Sequence, residues 1–281
     1  MNRAMVFLCA ILSGCVSEAP DPSPSELRIV SLSPAVTALL QSMGHSDVLI
    51  GRSAFCRDCG ALPVVGDLGG ADVEALIRLQ PTMIFYQQTA APPPAGAIEA
   101  AKRCGAVAHG FPMDDMVDLH ASIDGMAVAL VDHVDASTLS ETVDGLHDAL
   151  RSALTPAASL GHSVLLVQGG PQLLAWGGET WLGDVVQAAG FDVLLAEKGW
   201  VSIGVEDLVR LKPDVLLVLG ETPDVDVTGF EGLSLPAVEA GSMHVLSHPS
   251  LLLPGVHAAA LRTQVDRIAG HLTAGTGPKT P

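Results

Sequence analysis

The apolar residues of this chain fall into short runs, and stretches with helical spacing separate them. Eight runs are typical of strands buried on both faces, at 28–32, 48–52, 82–87, 106–111, 163–168, 192–196, 214–220 and 244–248. Because strands and helices alternate, consecutive runs should lie in a parallel sheet joined by right-handed crossovers, with helices on both faces. The pattern therefore predicts an α/β fold.

A long internal repeat indicates two copies of one unit. Residues 73–85 read VEALIRLQPTMIF and residues 205–217 read VEDLVRLKPDVLL, with Val, Glu, Leu, Arg, Leu and Pro identical and no gap. In each copy a helix stops before Pro and a buried strand follows. A second pair of segments, 39–51 and 185–196, ends a helix at Gly before another strand. A repeat of this length predicts two doubly wound parallel-sheet lobes.

The stretch between the two copies has helical periodicity and no convincing strand. Its second part has one apolar stripe, formed by Leu139, Val143, Leu146, Leu150 and Leu154. This stripe predicts one long backbone helix that joins the lobes, with a ligand cleft between them. The expected division is an N-terminal lobe at 27–135, a connecting helix at 136–161 and a C-terminal lobe at 162–273. A helical connection should restrict ligand capture to small lobe movements.

The first fifteen residues, MNRAMVFLCAILSGC, have the features of an export signal. Arg3 precedes an apolar run that is too short to span a bilayer, because spanning takes about 20 residues. Small residues then lead to Cys15, as in a bacterial lipobox, and predict lipidation there; the alternative is an ordinary secretory signal cleaved nearby. Residues 16–26 should form a flexible tether and residues 274–281 a disordered tail. We therefore expect the protein in the periplasm or at the cell surface, in contact with the membrane only through its lipid anchor.

Charge and motifs exclude several classes of function. The formal charge of −17 and the pI of about 4.7 predict a surface that repels nucleic acid and anionic lipid. The chain contains no G-x-S-x-G, no G-x-x-x-x-G-K-[ST] and no complete G-x-G-x-x-G after a strand. The histidines have no metal-site spacing, and we expect no bound metal. These observations predict a binding protein and not an enzyme.

Three blocks of the chain carry a resemblance to a known family. They read RIVSLSPAVTALLQSMGHSDVLIG, LPVVGDLGGADVEALIRLQPTMIF and WLGDVVQAAGFDVLLAEKGWVSIGVEDLVRLKPDVLLVLG. In this order they resemble the helical-backbone (class III) substrate-binding proteins of ABC importers for vitamin B12, ferric siderophores and haem. The similarity runs from about residue 28 to about residue 272. It implies two lobes joined by a helix, a small-molecule ligand held between them and an ABC permease as partner; we expect a monomer.

The resemblance also implies a pair of docking residues. In the family, an acid at the start of the helix before the L-x-P strand of each lobe binds arginines of the permease. Here those positions are Glu74 and Glu206, which are identical positions of the repeat. The alternative is that each Glu only complements the positive end of its helix, an effect of about 0.3–1 kcal/mol.

Ligands of doubly wound sheets bind beyond the carboxyl ends of the strands, and this rule nominates residues of the cleft. The nominated set is Ser33, Phe55, Cys56, Tyr86, Gln87, Met113, Gln168, Trp176, Trp200 and His248. Any one aromatic residue is as often packing as ligand contact, but together they favour a large, flat, partly apolar ligand. We prefer a corrinoid such as cobalamin over an anionic ferric chelate, because no cluster of Arg and Lys is present. Haem or a metal ion is a further alternative, although haem carriers of the family often have an iron-binding Tyr near Cys56 and this chain has none there.

The motif CRDC at residues 56–59 has three interpretations. In an exported protein a disulfide between Cys56 and Cys59 is expected, and the alternatives are free thiols in the cleft or half of a metal site. An exported thiol-disulfide oxidoreductase built on this pair is the rival class of function. A redox CxxC normally opens a helix, and this segment lacks the signals of a helix start. The acids nearby in the connecting region are expected to be ordinary surface residues, namely Asp114, Asp115, Asp118 and Glu141.

Overall fold

The computed structural model describes residues 26–67, 70–168, 173–255 and 257–275. The predicted export signal, Cys15, nearly all of the predicted tether and residues 276–281 of the predicted tail lie outside these ranges. Within them, no helix combines the length and the hydropathy needed to cross a membrane.

The N-terminal half contains a five-stranded sheet in which all neighbouring strands are parallel. Its strands are Ile29–Ser31 (β1), Leu49–Ser53 (β2), Val64–Gly66 (β3), Met83–Gln88 (β4) and Val107–Pro112 (β5). Its helices are Pro34–Ser42 (α1), Val73–Leu79 (α2) and Ala97–Cys104 (α3), with a 3-10 helix at Ser46–Val48. The order β3-β2-β1-β4-β5 reverses direction between β1 and β4, where a crevice forms beyond the carboxyl ends of the strands.

Two helices connect the halves, Met116–Leu130 (α4) and Ala136–Ala153 (α5). The N-cap residue of α5 is Asp135, whose carboxylate accepts the backbone N–H of Thr138 at 2.8 Å. This bond, together with one from Ser137, lowers the pKa of Asp135 to about 2. At the other end of α5, Arg262 donates to the carbonyl of Ala153 at 2.8 Å, so the helix terminus is bound to the C-terminal half.

The C-terminal half contains a six-stranded sheet of mixed direction. Its strands are Ser163–Gln168 (β6), Leu173–Trp176 (β7), Asp192–Val193 (β8), Trp200–Ile203 (β9), Val215–Gly220 (β10) and Met243–Ser247 (β11). Its helices are Trp181–Ala188 (α6), Val205–Leu211 (α7), Thr228–Glu231 (α8), Pro236–Glu239 (α9) and Ala258–Gly275 (α10). The order is β11-β10-β6-β7-β9, and the short β8 also pairs with β6.

The two copies of the repeat have the same local structure. α2 and α7 cover equivalent positions of the repeat, and so do β4 and β10. Both helices end at a left-handed residue that is not glycine, Gln80 with φ of 45° and Lys212 with φ of 49°. The predicted fold class, two α/β lobes built around parallel strands, is confirmed.

Three short strands, β3, β7 and β9, are missing from the sequence prediction. They have only three or four residues each, too few to show a period of two. β7 pairs antiparallel with both β6 and β9, so the prediction of a wholly parallel second sheet is wrong. β8 covers only the first two residues of the predicted strand at 192–196, because β7 takes over the pairing along β6. α10 runs to Gly275, into the predicted tail.

One apolar core joins the two halves. Ile29 and Phe85 of the first sheet belong to the same cluster as Leu166 and Leu217 of the second, together with side chains of α1, α4, α5, α6 and α10. Two smaller clusters cover the outer faces, one under α2 and α3 and the other under α7, α8 and α9. The halves are therefore held together by packing as well as by the connecting helices.

Candidate ligand-binding cleft

A pocket of about 330 Å³ lies between the two halves, within the usual size range for small-molecule sites. The first half lines it with the segments after β1, β4 and β5, as expected for the carboxyl ends of a doubly wound sheet. The second half lines it with β7, the start of α6 and the loop after β11. The lining residues include Gln87, Met113, Asp114, Trp176, Trp181 and Trp200. We call this space the tryptophan pocket.

A second pocket of about 340 Å³ adjoins the first, and we call it the histidine pocket. α1 forms one wall, and His248 and His257 lie on the other. Leu253 and Pro254 line both pockets, so the loop after β11 separates them. A third hollow lies at the amino ends of the second-half strands, beside Asp214, which is outside the position where this fold binds ligands.

Trp176 and Trp200 face each other as partners across the antiparallel pair β7 and β9. The side chain of Trp200 is 58% exposed, whereas the indole Nε1 of Trp176 is buried. Exposed aromatic surface at a cleft is apolar area that a bound ligand can cover. The unpredicted antiparallel pairing of β7 with β9 thus places both predicted tryptophans on one wall of the pocket.

The polar residues of the tryptophan pocket are fixed by local hydrogen bonds. The hydroxyl of Ser33 donates to Oε1 of Gln87 at 3.3 Å and also accepts the backbone N–H of Val36 at the start of α1. Ser33 is fully buried, so it orients Gln87 and caps a helix. Thr180 is likewise the N-cap residue of a helix, because its hydroxyl accepts the backbone N–H of Gly183 at the start of α6 at 3.0 Å.

Asp114 lies at the rim of the tryptophan pocket, which departs from its expected role as an ordinary surface acid. Its carbonyl accepts the backbone N–H of Trp181 at 2.9 Å, and its own N–H donates to Asp118 at 3.2 Å. Partial burial, followed by Asp118 and Asp115, raises the pKa of its carboxyl group, and Lys198 opposes this effect. Among the described residues that line the two pockets there is no Lys or Arg.

His248 and His257 form a stacked pair in the histidine pocket, with ring centroids 4.6 Å apart. His257 also meets Trp181 edge to face, with centroids 5.1 Å apart. Burial, and then His248, lowers the pKa of His257 to about 4, and burial lowers the pKa of His248 as well. Both rings are therefore neutral near pH 7.

Of the predicted ligand residues, the structure brings Gln87, Met113, Trp176 and Trp200 into one pocket and His248 into the next. The others do not line these pockets: Ser33, Phe55, Cys56, Tyr86 and Gln168. Tyr86 belongs to the apolar cluster under α2 and α3, because consecutive strand residues point to opposite faces of the sheet. Phe55 is 65% exposed outside the pocket walls. The sequence analysis missed Thr180, Trp181 and His257 as pocket residues.

Cys56 and Cys59 are free thiols in this structure, which differs from the predicted disulfide. Both are buried, and Cys56 lies 3.0 Å from the hydroxyl of Thr37. Burial, and then the neighbouring Cys56, raises the pKa of the Cys59 thiol. A catalytic redox thiol needs the opposite shift. Between the two cysteines, Arg57 forms an ion pair with Glu221 of the other lobe at 2.6 Å.

Glu74 and Glu206 are both exposed and lie in the first turns of α2 and α7. Because the two helices are equivalent in the repeat, the carboxylates occupy matching positions on the two lobes. No group of three or more His, Cys, Asp or Glu side chains in the described part of the chain is arranged to hold a metal ion.

The sequence matches the family model for periplasmic binding proteins over residues 29–241. No curated protein matches it. The fold is similar to that of the periplasmic heme-binding protein RhuT from Roseiflexus sp. RS-1, with a TM-score of 0.68, 20% identity and coverage of 88% of this chain and 99% of that one. It is also similar to the periplasmic vitamin B12 binding protein BtuF of Vibrio cholerae, with a TM-score of 0.66, 15% identity and coverage of 88% and 97%.

Two α/β lobes with a cleft between them define a two-lobed solute-binding protein. With the family model matching most of its length, the chain belongs to the periplasmic binding protein family. Members of this family bind small-molecule ligands and work with the permeases of ABC transporters.

Proposed function

We propose that this protein is the substrate-binding component of an ABC importer, that it is not an enzyme, and that its cargo is a corrinoid. The observation that carries the proposal is the tryptophan pocket between the lobes. Trp176 and Trp200 offer flat apolar surface, and the described lining contains no Lys or Arg to balance an anionic ligand. A corrinoid is large, flat and edged with neutral amides, so it suits such a wall.

Haem is the second candidate, and the histidine pocket favours it. Neutral His248 and His257 side chains are able to ligate iron, and RhuT is a heme-binding protein of similar fold. Against haem, Tyr86 points away from the cleft and the pocket walls lack cations for the haem carboxylates. We therefore rank the corrinoid first.

Delivery to the permease uses Glu74 and Glu206 in this proposal, and Cys15 carries the lipid that tethers the monomeric protein to the membrane. The support for the docking role is the equivalence of α2 and α7, which presents one acid on each lobe to a two-fold partner.

Lipidation predicts that Cys15→Ala leaves unprocessed precursor in the cell. Normal processing of that variant would refute the anchor.

The cargo is tested by thermal unfolding of the purified protein with cyanocobalamin, cobinamide, hemin and a ferric siderophore. A ligand present at 100 times its dissociation constant adds about 2.7 kcal/mol to the free energy of unfolding. We expect a clear rise in Tm with the corrinoids only. A rise with hemin alone would replace the corrinoid by haem, and no rise with any compound would remove both cargoes.

A further inference from the structure

The wall of the tryptophan pocket contains polar groups without partners. The carboxylate of Asp114 makes no hydrogen bond or ion pair with any residue that the structure describes, and Asp114 is exposed at the pocket rim. In the same wall, the indole Nε1 groups of Trp176 and Trp181 are buried and find no acceptor in the described part of the chain. Trp181 itself is 1% exposed. Of these groups, the exposed carboxylate of Asp114 is the one that is open to a hydrogen-bond donor of a ligand in the pocket.

The position of Asp114 is fixed by its backbone. Its carbonyl accepts the N–H of Trp181 at 2.9 Å, and its N–H donates to Oδ2 of Asp118 at 3.2 Å. The bond between Asp114 and Trp181 links the segment just before α4 to the start of α6 in the C-terminal half. The Asp114 backbone is therefore held next to Trp181, and both residues line the tryptophan pocket.

The charges around Asp114 have mostly the same sign as its own. Partial burial, and then the neighbouring Asp118 and Asp115, raises the pKa of its carboxyl group, and Lys198 only partly offsets these effects. Asp184, on α6, accepts the N–H of Met116 at 3.0 Å and adds a further acid to this junction. The pocket rim is thus electronegative, although it is lined by apolar rings.

We propose that Asp114 determines ligand specificity, selecting ligands that present N–H donors to this wall and rejecting ligands that present a carboxylate. A primary carboxamide supplies the complementary group, because its N–H donates to the exposed Asp114 carboxylate. A carboxylate meets like charge at Asp114 and finds no Lys or Arg in the described lining. This inference rests on the proposed function and names the residue that separates amide-bearing corrinoids from carboxylate-bearing porphyrins.

The test measures dissociation constants of cobinamide and hemin by quenching of tryptophan fluorescence. Wild type is compared with Asp114→Asn, Asp114→Lys and Asp144→Asn. Asp144→Asn is the matched control, since it makes the same charge change at an exposed position of α5. We expect Asp114→Asn to shift the ratio of the two constants at least tenfold toward hemin, Asp114→Lys to shift it further, and the control to leave it unchanged.

The outcomes separate this inference from the importer function. If wild type binds cobinamide and neither Asp114 variant changes the ratio, Asp114 has no selective role and the importer function stands. A shift of equal size in Asp144→Asn would assign the effect to net charge and would also overturn the inference. If wild type binds neither compound, the proposed cargo is wrong and the role of Asp114 is wrong with it. Thermal unfolding without ligand identifies any misfolded variant, and Asp114→Asn, which keeps the shape of the side chain, then decides the test.

Discussion

The two lobes share one unit and differ in what lies beside it. In both, a seven-residue helix leads through a left-handed residue into a buried strand, as α2–β4 and as α7–β10. In the first lobe the strand β1 has the parallel β2 beside it, whereas in the second lobe most of the corresponding edge of β6 pairs with the antiparallel β7, which in turn pairs with β9. The shared unit carries Glu74 and Glu206, and the differing unit carries Trp176 and Trp200. The repeated part thus suits a symmetric partner, and the unrepeated part suits a single ligand.

The shared unit should be essential for delivery of the ligand to the permease. Glu74→Arg combined with Glu206→Arg should abolish ligand uptake by cells, because both acids face permease arginines in our proposal and reversal turns attraction into repulsion. Ligand affinity of the purified protein should not change. Glu141→Arg, at an exposed position of α5, is the control and should transport normally. Normal uptake by the double variant would show that the two equivalent helices have no common role at the membrane.

The differing unit should supply much of the ligand affinity through its two tryptophans. Trp176→Ala combined with Trp200→Ala removes the aromatic wall, and truncation of such residues at binding sites commonly costs about 2–4 kcal/mol. We expect cobinamide affinity to fall by a factor of roughly 30 to 1,000, measured by equilibrium dialysis. Phe55→Ala changes an aromatic residue of similar exposure outside the pockets and should bind normally. Equal losses in both variants would contradict the assignment of the cleft wall to the second lobe.

The shared unit could be predicted from sequence, whereas the differing unit could not. Identical residues in 73–85 and 205–217 fixed equivalent helices and strands, since each helix has its own stop signal and each strand is a long apolar run. β7 and β9 have four residues each and lie beside Gly177 and Gly199, so their sequence is equally typical of loops.

The candidate site was predicted only in part, for reasons of direction and packing. Tyr86 and Gln87 both lie in the second half of β4, but their side chains point to opposite faces, and only Gln87 lines the pocket. Asp114 belongs to a run of acids that is typical of a solvated helix start. Its place in the pocket results from the contact with Trp181, which is distant in sequence.

A third difference between the lobes is the segment after the last strand. In the first lobe β5 leads almost directly into α4, whereas the loop after β11 contains the stacked His248 and His257. The pKa of His257 is lowered to about 4, so folding favours its neutral form. Stability from this group is present above the ordinary histidine pKa of about 6.5 and is lost as pH falls from there to about 4, by about 3 kcal/mol at most.

His257→Gln should therefore flatten the pH dependence of unfolding in this window. Denaturant titrations at pH 7, 5.5 and 4.5 measure the free energy of unfolding for wild type, His257→Gln and the exposed control His133→Gln. The carboxyl groups of Asp114 and Asp184 have raised pKa values and act in the opposite direction, but they are the same in all three proteins. If the wild type and His257→Gln lose stability in parallel on acidification, the histidine pair does not carry this pH dependence.

The equivalence of α2 and α7 also predicts a stabilising substitution in each lobe. Gln80 and Lys212 hold positive φ angles at the helix ends, which costs a residue with a side chain about 1–2 kcal/mol and costs glycine little. After the entropy that glycine loses on folding is subtracted, Gln80→Gly and Lys212→Gly should each stabilise by about 0.5–1 kcal/mol. Arg78→Gly, inside α2, should instead destabilise by about 1 kcal/mol. A gain in one lobe and a loss in the other would break the equivalence.

A contact between the lobes at Arg57 should have only a small effect on stability. Its Nη2 lies 2.6 Å from Oε2 of Glu221, and its Nη1 donates to the carbonyl of Pro249 at 2.9 Å. Both side chains of the ion pair are about half exposed, so the pair should add less than about 1 kcal/mol to stability. Because it joins loops of opposite lobes, its loss should appear in the rate of ligand release more than in Tm.

Arg57→Ala should thus speed release of cobinamide a few-fold in stopped-flow displacement, and the effect should shrink at high salt because exposed ion pairs are screened. Arg103→Ala is the matched control, since Arg103 forms an exposed pair with Glu99 inside the first lobe. Equal release rates in wild type and Arg57→Ala would mean that the apolar core joining the two halves, and not this ion pair, keeps the lobes closed on the ligand. At the junction of the lobes, the apolar core that both lobes form would then be more important than the single ion pair between Arg57 and Glu221.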